Sequence, residues 1–97
     1  MPERYRNAKI FTLRSPNSEK YYLGSTCLPL YKRLYQIKTK YNKWNESKDE
    51  KSFDQAYKIF QSGDAYVELY ESFPCNNKEE LKKRTGELLR QLKDQII

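Results

Sequence analysis

The chain has 97 residues, of which 37% are hydrophobic and 14% aromatic, and it contains no histidine and two cysteines. This length fits one domain, the aromatic content argues against disorder, and so few His and Cys residues argue against a zinc site. The formal net charge of +6 favours a polyanionic partner, and no apolar run resembles a signal peptide or a membrane span. Nucleic acid and an acidic membrane surface are two such partners, and the alternative is a merely soluble basic protein. Because cysteine is sparse, we expect an intracellular protein, cytoplasmic or nuclear, that does not span a membrane.

The first half of the chain predicts a β-hairpin followed by a helix. Residues 8–14 alternate and are partly β-branched, residues 15–19 are rich in turn formers, and residues 20–25 form the returning strand. Pro29 suits a first helical turn. The helix then has an apolar stripe, which comprises Leu30, Leu34, Ile37 and Tyr41.

The second half predicts a helix, a strand and a final helix. The polar residues 42–51 form a loop, after which Ser52 and Gln55 have the spacing of a capping box. The next helix ends near Gly63 and has an apolar stripe, which comprises Phe53, Ala56, Tyr57 and Phe60. A strand follows, and one side of it is formed by Ala65, Val67 and Leu69, which alternate with Tyr66, Glu68 and Tyr70. Asn77 and Glu80 have capping-box spacing, and the last helix has a stripe of Leu81, Thr85, Leu88, Leu92 and Ile96. This order, β-β-α-α-β-α, indicates an α+β domain with a small three-stranded antiparallel sheet flanked by helices.

Three residues near the hairpin have side chains or backbones suited to binding a phosphate. Tyr22 and Gly24 end the second strand, and Arg33 follows on the first helix. Glycine allows a close approach of a phosphate backbone, and arginine can bind a phosphate and stabilise developing charge. An alternative interpretation is structural, with Tyr22 a sheet residue, Gly24 a turn residue and Arg33 a solvated helix residue.

The runs 9–11, 22–26, 30–34 and 73–84 resemble the GIY-YIG nuclease superfamily, and the resemblance covers essentially the whole chain. It implies Mg²⁺-dependent hydrolysis of a DNA phosphodiester. Carried over by position, Tyr22 is the second-motif tyrosine that helps to activate water, Gly24 is that motif's glycine, and Arg33 is the phosphate-stabilising arginine.

Three positions depart from the pattern of that family. Phe11 replaces the first-motif tyrosine, Ile37 replaces a histidine one turn after the arginine, and Thr85 replaces the metal-binding glutamate. A neutral hydroxyl is a poor substitute for a carboxylate on a hard cation, so no metal ligand is certain. We expect the Thr85 hydroxyl to bond to a carbonyl of its own helix instead. Other carboxylates lie elsewhere on the last helix or on the third strand, namely Glu68, Glu71, Glu79, Glu80 and Glu87.

The first helix carries many cations and aromatic residues, with no acidic residue between Tyr31 and Trp44. Lysines release counterions from phosphates and aromatic rings stack on bases, which predicts a nucleic-acid surface. Alternatively this face is only solvated, with Tyr41 and Trp44 packed inside. The predicted binding residues are Lys32, Arg33, Tyr35, Lys38, Lys40 and Lys43.

Three hypotheses follow from these residues. The chain is a GIY-YIG-type DNA endonuclease domain that uses Mg²⁺ if it is active and is weakened or inactivated at Thr85. Alternatively, it is a pseudo-nuclease that binds DNA or RNA without cutting it. A third alternative is an interaction protein, whose basic aromatic face contacts an acidic protein partner or a second copy of the chain.

Overall fold

The computed structural model describes residues 3–47 and 54–96 and contains a central three-stranded antiparallel sheet. Together with its helices, this sheet confirms the predicted α+β class. After a short 3₁₀ helix, Glu3–Asn7, come strands β1 (Lys9–Arg14) and β2 (Tyr22–Thr26), and β3 (Tyr66–Ser72) follows later in the chain. The strand order is β2-β1-β3, so β1 lies in the middle. Its Ile10, Phe11 and Leu13 side chains are 0% exposed, which is expected of a central strand covered on both faces.

Three helices cover the sheet in the predicted order. They are α1 (Leu30–Ser47), α2 (Ala56–Ser62) and α3 (Lys78–Gln91). On one face Phe11 and Leu13 pack with Ile37 of α1 and Ile59 of α2; we call this the α1 face. On the other, the α3 face, Ile10 and Leu23 pack with two leucines of α3. None of the helices in the described part of the chain has the length and apolar composition needed to cross a membrane.

The start of α3 confirms one of the two predicted caps. The Asn77 side chain accepts a hydrogen bond from the Glu80 backbone N–H at 2.9 Å. The Glu80 carboxylate in turn accepts from the backbone N–H of Asn76 at 3.0 Å, one residue before the position that a strict capping box requires. The cap predicted for α2 is not tested, because Ser52 lies outside the described residues. At the start of α2 the Asp54 carboxylate accepts a hydrogen bond from the Ala56 N–H at 2.9 Å.

The predicted loop over residues 42–51 is wrong for its first part, because α1 continues to Ser47. The added turns carry Trp44, whose ring stacks with that of Tyr41 at a centroid distance of 6.2 Å. Tyr41 also stacks on Phe60 of α2 at 5.2 Å, and Trp44 contacts Tyr57 at 5.4 Å. This aromatic cluster stabilises the helical conformation of residues 42–47, which their polar sequence does not indicate.

Two further expectations are corrected at the edges of the sheet. Leu69 pairs with Phe11 on the side of the strand predicted to face inward, but it is 54% exposed, because β3 is an edge strand. The last helix ends at Gln91, so Leu92 and Ile96 lie beyond it. They still pack on the α3 face, and Ile96 forms a parallel bridge with Tyr21 at the start of β2.

Candidate nucleic-acid interface

Gly24 lies beneath two aromatic rings on the α1 face. It pairs with Phe11 across the β1–β2 ladder, and a methyl group at Gly24 would lie 2.9 Å from Phe11 Cζ and 3.0 Å from Tyr22 Cε1. The two rings contact each other at a centroid distance of 6.5 Å. Glycine is therefore required here for close packing of rings, and Phe11 is a core residue with no exposed surface.

The Tyr22 phenol is partly buried beside two groups of opposite charge. Burial raises the pKa of Tyr22, the negative charge of Asp54 raises it further, and the positive charge of Arg33 acts in the opposite direction. Tyr22 is therefore neutral at ordinary pH and can donate a hydrogen bond, but it is a poor proton acceptor. Asp54 is a neighbour that the sequence pattern did not indicate, because it comes from the distant start of α2.

Arg33 is half-buried near the start of α1. One of its terminal nitrogens donates to the Gln36 side chain at 3.3 Å. Its Nε is buried and has no hydrogen-bond partner among the described residues. A buried donor without a partner costs free energy.

Arg33 lines an open groove of about 1010 Å³ between α1 and α3, at the end of β2. The loop that follows β2 is held in shape, because the Thr26 hydroxyl accepts from the Leu28 N–H at 3.0 Å and Lys9 donates to the Leu28 carbonyl at 3.0 Å. Among the residues that the structure describes, those lining the groove include three cations and no acidic residue. Its lining comprises Tyr5, Asn7, Ser25, Thr26, Cys27, Leu28, Arg33, Gln36, Lys78, Leu81 and Lys82.

Two of these cations, Lys78 and Lys82, were not among the predicted binding residues. They lie four positions apart on α3, which places them on one side of that helix, facing the groove. The only local signal in the sequence is this spacing, which is equally common on solvated helices. Their relation to Arg33 exists only once α1 and α3 have packed on the sheet.

The six predicted binding residues all lie on α1, and only one of them, Arg33, lines the groove. Lys38 instead lines a separate hollow between α1 and α2. The other four are exposed, namely Lys32, Tyr35, Lys40 and Lys43, and Tyr35 is 72% exposed. Thus only part of the predicted surface adjoins the groove.

Thr85 makes the helix contact expected of a structural residue. Its hydroxyl donates to the Leu81 carbonyl at 2.8 Å, one turn earlier in α3. The neighbouring carboxylates of Glu71 and Glu87 are both bound to Arg84, at 2.7 Å and 3.3 Å. The Arg84 hydrogen bonds lower the pKa of Glu71.

A divalent metal does not fit the donors near Thr85. Within residues 3–47 and 54–96, no three His, Cys, Asp or Glu side chains are grouped so that they could bind a metal ion. Mg²⁺ requires several oxygen ligands, and the carboxylates nearest in the fold already neutralise an arginine. Ile37, the third departure from the family pattern, is buried in the α1-face core and carries no group that exchanges protons.

Comparison with known proteins found no protein-family model, no curated protein and no solved structure that matches this chain.

Proposed function

We propose that this chain is a GIY-YIG-type domain that binds DNA at Arg33 and whose cleavage activity is weak or absent. The observation that carries the proposal is the groove beside Arg33, whose lining among the described residues includes three cations, Arg33, Lys78 and Lys82, and no acidic residue. A DNA phosphate can accept charge-assisted hydrogen bonds from these cations. A DNA partner also implies a cytoplasmic or nuclear place of action.

The proposal of weak cleavage is supported by three positions. Phe11 has no phenol and is buried, and Tyr22 is kept neutral by burial and by Asp54. The Thr85 hydroxyl is engaged within α3. The groups that remain can bind and orient a phosphate, but none of them activates water or supplies a metal site. Arg33 is therefore a binding residue in this proposal, and we derive no hydrolytic step.

The binding function is tested by the salt dependence of DNA affinity. Fluorescence anisotropy of labelled DNA should show binding that weakens as salt rises, because phosphate contacts release counterions. Arg33→Ala should reduce the slope of log affinity against log salt by about 1. Arg90→Ala is the matched control, since Arg90 is an exposed cation of α3 outside the groove. Equal effects of the two substitutions would exclude Arg33 as the phosphate site.

The cleavage function is tested with supercoiled plasmid and branched DNA in Mg²⁺ or in EDTA. We expect DNA binding without nicking. Nicking that requires Mg²⁺ and disappears in Arg33→Ala would instead establish an endonuclease that uses another carboxylate. Tighter binding to RNA than to DNA would identify RNA as the ligand, and failure to bind either would leave an acidic protein or a second copy as the partner.

A further inference from the structure

The groove between α1 and α3 has the size of a small-ligand site. Its volume of about 1010 Å³ lies near the upper end of the roughly 300–1,000 Å³ typical of pockets that enclose drug-sized ligands. In a duplex the bases are paired between two backbones, so a duplex presents its phosphates to such a groove but no separate base. A single strand can enter, since one nucleotide presents its phosphate and its base separately.

The two walls of the groove have complementary chemistry for one nucleotide. Cations from both helices, Arg33 on α1 with Lys78 and Lys82 on α3, suit the phosphates. Between them the lining includes the half-buried apolar side chain of Leu28, which a phosphate backbone does not need. An unpaired base buries such a surface favourably.

Acidic residues of α3 do not oppose this charge within the groove. Glu79 and Glu80 lie in the same first turn as Lys78, but neither lines the groove. Glu80 is directed to Asn76, whose backbone N–H and side chain both donate to it. The field inside the groove is therefore set by the three cations.

From these observations we infer that the groove binds one nucleotide unit of single-stranded DNA, with Lys78 and Lys82 contacting the backbone on the side opposite Arg33. This inference rests on the proposed DNA-binding function and adds the form of the substrate. Single-stranded DNA binds more tightly than duplex, and the α3 lysines carry part of that preference.

The test compares a labelled oligothymidylate, a hairpin duplex of matched length and an abasic strand with the same number of phosphates. The variants are Lys78→Ala/Lys82→Ala, the charge-retaining Lys78→Arg/Lys82→Arg, and the control Lys83→Ala/Lys93→Ala. The control removes the same charge from exposed positions outside the groove. All four lysines in these variants are exposed, so folding is retained, as circular dichroism checks.

If both lysines contact the one phosphate on the side opposite Arg33, removing them should lower the salt slope by about 0.7 and the affinity by about fivefold at about 0.1 M salt. The Arg variant should bind like the parent protein, and the control should lose much less affinity. The abasic strand should bind at least about fivefold more weakly than oligothymidylate, because it lacks the base that the groove accommodates.

Three results would overturn this inference while leaving DNA binding intact. They are equal losses for Lys78→Ala/Lys82→Ala and its control, duplex affinity equal to or above that of the single strand, and undiminished binding of the abasic strand. If the parent protein binds none of the three probes, then the proposed function itself fails.

Discussion

Replacing Gly24 by alanine introduces one methyl group against the rings of Phe11 and Tyr22 on the α1 face. The new Cβ would lie 2.9 Å from Phe11 Cζ and 3.0 Å from Tyr22 Cε1. Phe11 is 0% exposed, so its ring cannot move into solvent to relieve the contact. The methyl group therefore has to displace the ring or the strand backbone.

The expected loss in the free energy of unfolding is the difference between a packing cost in the folded state and an entropic gain from the unfolded chain. Overpacking a core destabilises the protein by about 1–3 kcal/mol. Alanine also reduces the conformational freedom of the unfolded chain, which stabilises the protein by about 0.4–1 kcal/mol. The backbone of Gly24 does not have a positive φ, so no conformational strain is added. A net loss of about 1–2 kcal/mol corresponds to a Tm lowered by roughly 5–15 °C in a domain of this size.

Thermal unfolding followed by far-ultraviolet circular dichroism measures this effect, with Gly86→Ala as the matched control. A Cβ at Gly86 would have its nearest neighbour at 3.9 Å, the Arg90 Nη1, so space is available. Alanine in a helix interior is favoured over glycine by about 0.5–1 kcal/mol, so the control should raise Tm.

A Gly24→Ala protein that melts at or above the parent temperature would refute the packing argument. A second arm uses Phe11→Leu, which removes the nearest ring atoms. In the Phe11→Leu background, Gly24→Ala should lower the free energy of unfolding by less than it does in the parent protein. If the losses of the two single substitutions add up to that of the double variant, the two positions do not interact.

Three other substitutions test the N-terminal cap of α3, its ion pair with β3 and the Thr85 position. Asn77→Ala removes the cap on the Glu80 N–H and should lower the free energy of unfolding by about 1 kcal/mol in a urea titration, whereas no loss would show that this cap contributes nothing. Because Arg84 lowers the pKa of Glu71, their pair stabilises the fold above the ordinary pKa of a glutamate, and this contribution disappears as pH falls through the lowered value. Glu71→Gln should therefore lower Tm at neutral pH and change it little in strong acid; the same effect at both would contradict the linkage. If Thr85 occupies the ligand position of the family that the chain resembles, Thr85→Glu should produce Mg²⁺-binding heat in calorimetry, and the absence of this heat would mean that Thr85 does not occupy that position.

Local patterns predicted the parts of this fold that depend on neighbouring residues. The order of elements, the Asn77 cap and the burial of Ile37 follow from periodicity and from side-chain chemistry within a few positions. The helix bond of Thr85 is of the same kind, since its acceptor, Leu81, is one turn away.

Features that depend on distant parts of the chain were not predictable in this way. The extension of α1 to Ser47 depends on Tyr57 and Phe60, which reach Tyr41 and Trp44 only after α2 has packed. Likewise, the groove exists only between assembled helices. No spacing in the sequence therefore relates Arg33 to the lysines of α3.

The burial of β1 on both faces has a consequence for the order in which the domain assembles. A β1–β2 hairpin alone is marginally stable in water, and its Ile10 and Phe11 side chains need cover from different helices. The cover on the α3 face, like the third strand, comes from the far end of the chain, so these contacts close long loops. During synthesis the apolar side chains of the hairpin therefore stay exposed to solvent until α3 has left the ribosome. The sheet and both cores then form together, and the amides of β1 should be the last to exchange with solvent.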